Sequence, residues 1–308
     1  MDTVTLKLTK EQAGNIDLLE RIPAMLSNVS QHCYSNGVVI AGELRNMRVT
    51  VNENGVKIKN SLTKYFINSN IHNLSRKHTE EAIECLSDEL SLPVKEASVI
   101  GLDYAKNIFL KQDVTSYLQY LGEISRYNRY QSKRGINYKI AERELAIYDK
   151  VAEMKSHREQ VPPMFEGRNV MRIEKRYRSK LASYFNMPVV TGADLYEEHF
   201  YIGVLKDWLS DYNRIGKLNN TLVDMSGVTT KKELYSMGVL ALVQMQGGEQ
   251  AAIKQVQERQ RNGELTKKQA LDLRTAIKQS SGLVIASKDN ELIRELDEKV
   301  KEAVCYYR

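Results

Sequence analysis

The chain has 308 residues, of which 42% are hydrophobic and 27% charged, with a formal net charge of +6. That length suffices for two domains, and the composition is that of an ordinary globular protein. Its longest apolar runs, such as Gly238-Val-Leu-Ala-Leu-Val243, are far too short for a membrane span, and its start, MDTVTLKLTK, lacks the basic lead and apolar centre of a signal peptide. Cys33, Cys85 and Cys305 are odd in number and scattered, which argues against a disulfide framework or paired metal ligands and predicts a reducing cytoplasm.

Residues 2–8 alternate apolar and polar and predict a first strand. Met47-Arg-Val-Thr-Val51 and Val56-Lys-Ile-Lys59 flank Asn52-Glu-Asn-Gly55, a hairpin ending in an Asn-Gly turn. A helix is expected from Thr79, as N-cap, to Leu90, with Ala82, Ile83, Leu86 and Leu90 as its stripe and Pro93 as its stop. Glu96 to Asp103 predicts a strand, with Ser98, Ile100 and Leu102 on one face and Val99, Gly101 and Asp103 on the other. A short helix N-capped by Asp113 runs to about Tyr120.

Two strands follow, on either side of a charged helical stretch and the Pro162-Pro163 break. In the first, Arg143 to Lys150, alternation sets Leu145 and Ile147 against Glu144, Ala146 and Tyr148, with Lys150 continuing the tyrosine face. In the second, Asn169 to Tyr177, Met171 and Ile173 oppose Arg172, Glu174 and Arg176. Paired, they would bury aliphatics on one side and offer a phenol, a carboxylate and guanidinium groups on the other, a surface suited to holding and attacking a phosphodiester. Helices are expected over Ser179–Phe185 and Asp194–Leu209.

From residue 230 to 307 the chain is rich in Lys, Gln, Glu, Ala and Leu. Gly247-Gly248, Asn262-Gly263 and Ser280-Ser281-Gly282 divide it into about four helices, with Thr266 as one helix start. The expected fold is α+β: an antiparallel sheet with helices on one face over residues 1–212, then a small all-helical domain over 213–308.

Charge is uneven. Between Arg126 and Lys180 there are fifteen Lys/Arg and seven Asp/Glu, an excess of +8 that exceeds the +6 of the whole chain. Tyr127, Tyr130, Tyr138, Tyr148 and Tyr177 lie in this zone, so cations that attract phosphates are interleaved with rings that can stack bases. A solvated basic surface with half-buried strand tyrosines explains the same pattern. Phosphodiester cleavage needs a nucleophile, positive charge on the backbone, and often a divalent cation on a phosphoryl oxygen. Mg²⁺ and Mn²⁺ prefer oxygen donors, and Asp103 and Glu174 are the best-placed carboxylates. His72 is a possible third ligand. Strand charges paired with arginines, and a surface histidine, are the plainer readings. Sequence motifs for nucleotide phosphate loops, dinucleotide folds, zinc proteases and serine hydrolases are absent.

Several segments resemble, in order and spacing, the filamentous-phage gene II/gene X family of rolling-circle replication initiators, related to plasmid Rep nucleases. They are the MDTVTLKL strand, Ser61-Leu-Thr-Lys64, Val99-Ile-Gly-Leu-Asp103, Leu145-Ala-Ile-Tyr148 with Lys150, Arg172-Ile-Glu-Lys-Arg176 and Tyr184-Phe-Asn-Met-Pro188. Related sequences often carry Arg-Ile-Asp where this chain has Gly101-Leu-Asp103. The resemblance implies a Rep nuclease-like sheet and Tyr148 as the nicking tyrosine, assisted by Lys150. It further implies Asp103 and Glu174, with His72, on Mg²⁺ or Mn²⁺. Arg172, Arg176, Lys64 and Arg143 would hold DNA. The implied partners are single-stranded or supercoiled origin DNA and a host helicase and polymerase, in the cytoplasm of a bacterial host and with no membrane. A non-catalytic DNA-binding replication regulator and a relaxase for plasmid mobilisation are the alternatives.

Overall fold

A computed structural model describes the chain except residues 15, 36, 70–72, 218–227, 282–290 and 306–308. Its strands are β1 (Thr3–Thr9), β2 (Ser27–Tyr34), β3 (Gly37–Leu44), β4 (Met47–Asn52), β5 (Gly55–Ser61), β6 (Ser98–Leu110), β7 (Asn128–Ser132), β8 (Gly135–Lys139), β9 (Arg143–Asp149) and β10 (Asn169–Tyr177). The helices are α1 (Leu18–Arg21), α2 (Leu62–Ile67), α3 (Arg76–Leu90), α4 (Val114–Leu118), α5 (Lys150–Ser156), α6 (Leu181–Tyr184), α7 (Glu198–Asn213), α8 (Lys231–Met245), α9 (Glu249–Arg261), α10 (Lys267–Ser281) and α11 (Glu291–Cys305). The strands form one sheet in the order β2-β3-β4-β5-β1-β6-β10-β9-β8-β7, and the pairings with a described register are antiparallel. The α+β expectation holds, with a large antiparallel sheet and a helical C-terminal region. Among the described residues no helix is long and apolar enough to cross a membrane.

The chain forms two compact units, one of Met1–Asn107, Ile140–Ala146 and Arg172–Trp208, the other of Ile108–Lys139, Ile147–Met171 and Leu209–Arg308. The expected boundary after residue 212 falls inside the second.

In the first unit, alternation decides the core. Val4, Leu6 and Leu8 of β1, Val49 and Val51 of β4, and Val56 and Ile58 of β5 are all buried, while Lys7, Arg48, Lys57 and Lys59 are exposed. Asn52 pairs with Gly55, so the hairpin loop is Glu53-Asn54 rather than Asn-Gly. The glycine serves the neighbouring strand instead: it has φ +155°, and a Cβ there would lie 2.1 Å from the Leu8 carbonyl oxygen. The stripe of α3 is buried as expected, but the helix starts three residues before Thr79, capped by Ser75. The β2–β3 pair was not foreseen, because β2 is exposed along its whole length and carries no apolar alternation.

The expected faces of β6 hold from Gly101 to Asp103 and are exchanged over Ser98 and Val99. Val4 pairs with Leu102 and Thr5 with Gly101, but Leu6 pairs with Val99. Ile100 is the extra residue of a bulge, and it is 40% exposed. Cross-strand partners share a face, so Val99 joins Leu102 in the core while Gly101 and Asp103 stay on the opposite side. On β10, Ile173, Lys175 and Tyr177 face α7. The Trp208 indole N–H donates to the Ile173 carbonyl oxygen at 3.0 Å, and Tyr177 Oη donates to Asp207 at 2.6 Å. Lys175, wholly buried, pairs with Asp207 at 2.7 Å.

In the second unit, α8, α9 and α10 share a small core of Val243, Ala252, Val256, Ala270 and Ile277. Thr266 and Gln269 form a reciprocal cap at the start of α10, as the sequence suggested. Glu295 of α11 accepts from the Lys111 N–H and from Tyr117 Oη, and Asp297 accepts from Tyr212 Oη. The break at Ser280-Ser281-Gly282 falls where α10 ends, with Gly282 outside the described residues.

Candidate functional site

Strand parity on β10 gathers the polar residues of the first unit. Arg172, Glu174 and Arg176 share a face, as expected, and Arg178 extends the series just beyond the strand. The face is not an open basic surface. Asp2, Asp103, Glu144, Arg172 and Glu174 are all buried. Each guanidinium is shared between acids: Arg172 with Asp2 and with Glu174 at 3.5 Å, Arg176 with Glu174 at 2.8 Å and Glu144 at 3.3 Å. Arg178 reaches Asp103 at 3.4 Å and Glu144 at 3.9 Å. All three arginines of this face are thus paired internally.

The cluster is tied to the start of β1 and to α2. Ser61 caps α2 by accepting the Lys64 N–H at 3.2 Å, and its hydroxyl donates to Asp2 at 3.1 Å. The Ser61-Leu-Thr-Lys64 segment is therefore a helix cap that also fixes a carboxylate, with Lys64 inside the helix. Burial, and next the charge of Glu174, push the Asp103 carboxyl up to about 7, while Arg178 and Arg176 pull it back. Two carboxylates that repel each other are what a bound cation relieves. Both oxygens of Glu174 nevertheless already contact guanidinium groups, and among the described residues no three His, Cys, Asp or Glu side chains gather as a metal cage. Asp103 and Glu174 are oxygen donors of the type a hard cation takes. His72 lies outside the described residues.

Beside Asp103, a cleft of about 190 Å³ is lined by Thr3, Thr5, Lys57, Lys59, Gly101 and Arg178, with Ile100 at the bulge. Gly101 makes its floor, where a Cβ would lie 3.2 Å from Thr5 Oγ1.

Of the other expected DNA contacts, Arg172 is buried at 1% exposure and braces the cluster, whereas Arg178, which the sequence reading passed over, keeps 45% of its side chain exposed. Continuing the alternation 172, 174, 176 by one step would have found it. Arg143 stacks its guanidinium 3.9 Å from the Tyr184 ring centroid. Asp2 and Glu144 were also missed, since only tertiary pairing reveals them.

In the second unit, Tyr148 is half-buried on β9. Gly135 of β8 sits against it: a Cβ on that glycine would come within 2.9 Å of Tyr148 Cβ. The reading of Lys150 as a strand residue beside the phenol is corrected. Asp149 ends β9 and caps α5, so Lys150 is the first helical residue, buried and paired with Glu153 at 2.6 Å.

Comparison with known proteins gives the class, a replication-associated protein. Residues 1–199 match the family described as the N-terminal part of the phage replication-associated gene II protein, and the chain belongs to that family, whose members are replication initiators. The match takes in all ten strands of the described residues and ends at the start of α7. No curated protein matches the chain.

Proposed function

We propose that the protein initiates rolling-circle replication by nicking and rejoining one DNA strand at an origin, with Tyr148 as nucleophile. The observation that carries this reading is the ladder of four buried carboxylates and three arginines on the polar side of the sheet, inside the family-matched region. Along β9, strand alternation gives Tyr148 the same parity as Glu144, a member of that ladder. The Tyr148 oxygen attacks phosphorus, the phenolic proton is lost, and the P–O3′ bond breaks as the 3′ oxygen gains a proton. The products are a 5′-phosphotyrosyl strand and a free 3′-OH that primes synthesis; the reverse step rejoins the strand. Arg178 and Arg176 offer partly exposed guanidinium groups to the backbone, and Arg172 holds Asp2 and Glu174 in place. Asp103 and Glu174 would hold Mg²⁺ or Mn²⁺, which supplies charge to the non-bridging oxygens.

The test is incubation with single-stranded origin oligonucleotides and Mn²⁺, followed by a denaturing gel and peptide mapping. A DNA–protein adduct at Tyr148, lost in Tyr148→Phe, is expected; nicking retained by that variant excludes the role. A second reading, a DNA-binding replication regulator without catalysis, is favoured by the occupation of both Glu174 oxygens by arginines. It expects DNA binding in EDTA and no adduct under any condition.

A further inference from the structure

The cleft beside Asp103 continues into a basic row that none of the roles above uses. Arg48 pairs with Lys59, Lys59 with Thr5, and Thr5 with Gly101. The adjacent row runs Thr50, Lys57, Lys7 and Ser98. Partners directly opposite share a face, and the intervening residues Val49, Ile58 and Leu6 are buried. Two parallel rows thus cross four strands on the polar side of the first unit, about 14 Å at the usual strand spacing. They carry Arg48, Lys57, Lys59 and Lys7, all exposed, and three threonine or serine hydroxyls. Among the described residues neither Lys57 nor Lys59 has an ion-pair partner, in contrast to the arginines of β10. At the outer end Glu43, the cross-strand partner of Arg48, accepts from Asn28.

We propose that these rows and the cleft they enter form a sequence-independent track for single-stranded DNA, delivering the backbone to Asp103 and Arg178. The inference rests on the replication reading and names the path its substrate takes. Lys57 and Lys59 meet phosphates, the Thr3 and Thr5 hydroxyls donate to their oxygens, and Arg178 receives the strand at the inner end. Ile100, pushed out by the bulge, offers apolar surface to an unpaired base. The absence of a side chain at Gly101 lets the backbone approach the sheet. Asp103 is the carboxylate among the residues lining the cleft, and Arg178 pairs with it at 3.4 Å.

The test measures binding of a fluorescein-labelled oligo(dT) in EDTA by anisotropy, across a salt series. Lys57→Gln/Lys59→Gln should weaken binding and flatten the slope of log K against log salt by about 1.4, two single-strand phosphate contacts at roughly 0.7 each. Lys254→Gln/Lys268→Gln, an equal charge loss on exposed helices, should leave the slope unchanged. An unchanged slope in the first variant, an equal fall in the second, or no binding by the wild-type protein overturns the track. Because no covalent step is read, a flattened slope stands even where the Tyr148 adduct fails to form, and an adduct can form where the slope does not move.

Discussion

The polar side of β10 and the α8–α10 core are held together differently. On β10 Arg172 and Glu174 are charged and buried, and partners come from distant parts of the sequence, Asp2 and Arg172 being 170 positions apart. In α8–α10 the shared core consists of small and medium aliphatics, while Leu242, Met245 and Leu271 remain exposed. A charged cluster demands that every member be in place, because one missing partner strands a buried ion. A thin aliphatic core degrades gradually. The first arrangement suits a site that must hold its geometry.

The largest test of that contrast is Trp208→Ala. It removes the fully buried indole behind β10 and should cost about 3–5 kcal/mol, read by denaturant unfolding. A loss below about 1 kcal/mol, far under the usual cost of such a truncation, would show that β10 does not depend on α7. Next is Asp103→Asn. The folded chain holds the Asp103 proton more tightly than an unfolded chain does, so this group's contribution to stability falls as pH rises from about 4 to about 7 and stays low above that. The variant should therefore be more stable than wild type at pH 8, by roughly 1.4 kcal/mol for each unit of raised pKa less the lost Arg178 contact. The gain should vanish by pH 4. Melting curves at both values decide it; an equal gain at both would mean that the shift has another origin. In the helices, Ile277→Ala should cost about 2 kcal/mol, with faster amide exchange confined to α8–α10. The smallest effect is Thr266→Ala, which removes one cap of α10 for about 1 kcal/mol.

Local features were legible in the sequence. The β4–β5 hairpin, the alternation of β10, the cap at Asp113 and the Thr266 start each depend on residues within a few positions of one another. The remainder was set by pairing across the sheet. Nothing near Ile100 announces that β6 slips by one residue against β1, and nothing in Arg172 says that it will be buried against Asp2. Lys150 was misread because alternation was carried one step too far: Asp149, an acid ahead of a helix-forming run, was the available stop signal. The site's residue types were thus readable, but which of them meet solvent was not.

The strand order has a consequence during synthesis. Once about 110 residues have left the ribosome, β3, β4, β5, β1 and β6 are all available to pair. The strand that completes the far edge of β6 is β10, which begins at Asn169. Until translation reaches it, the nascent chain carries an open β6 edge and an Asp2 carboxylate without its arginine. Slow or stalled elongation in that interval leaves an unpaired template for other chains.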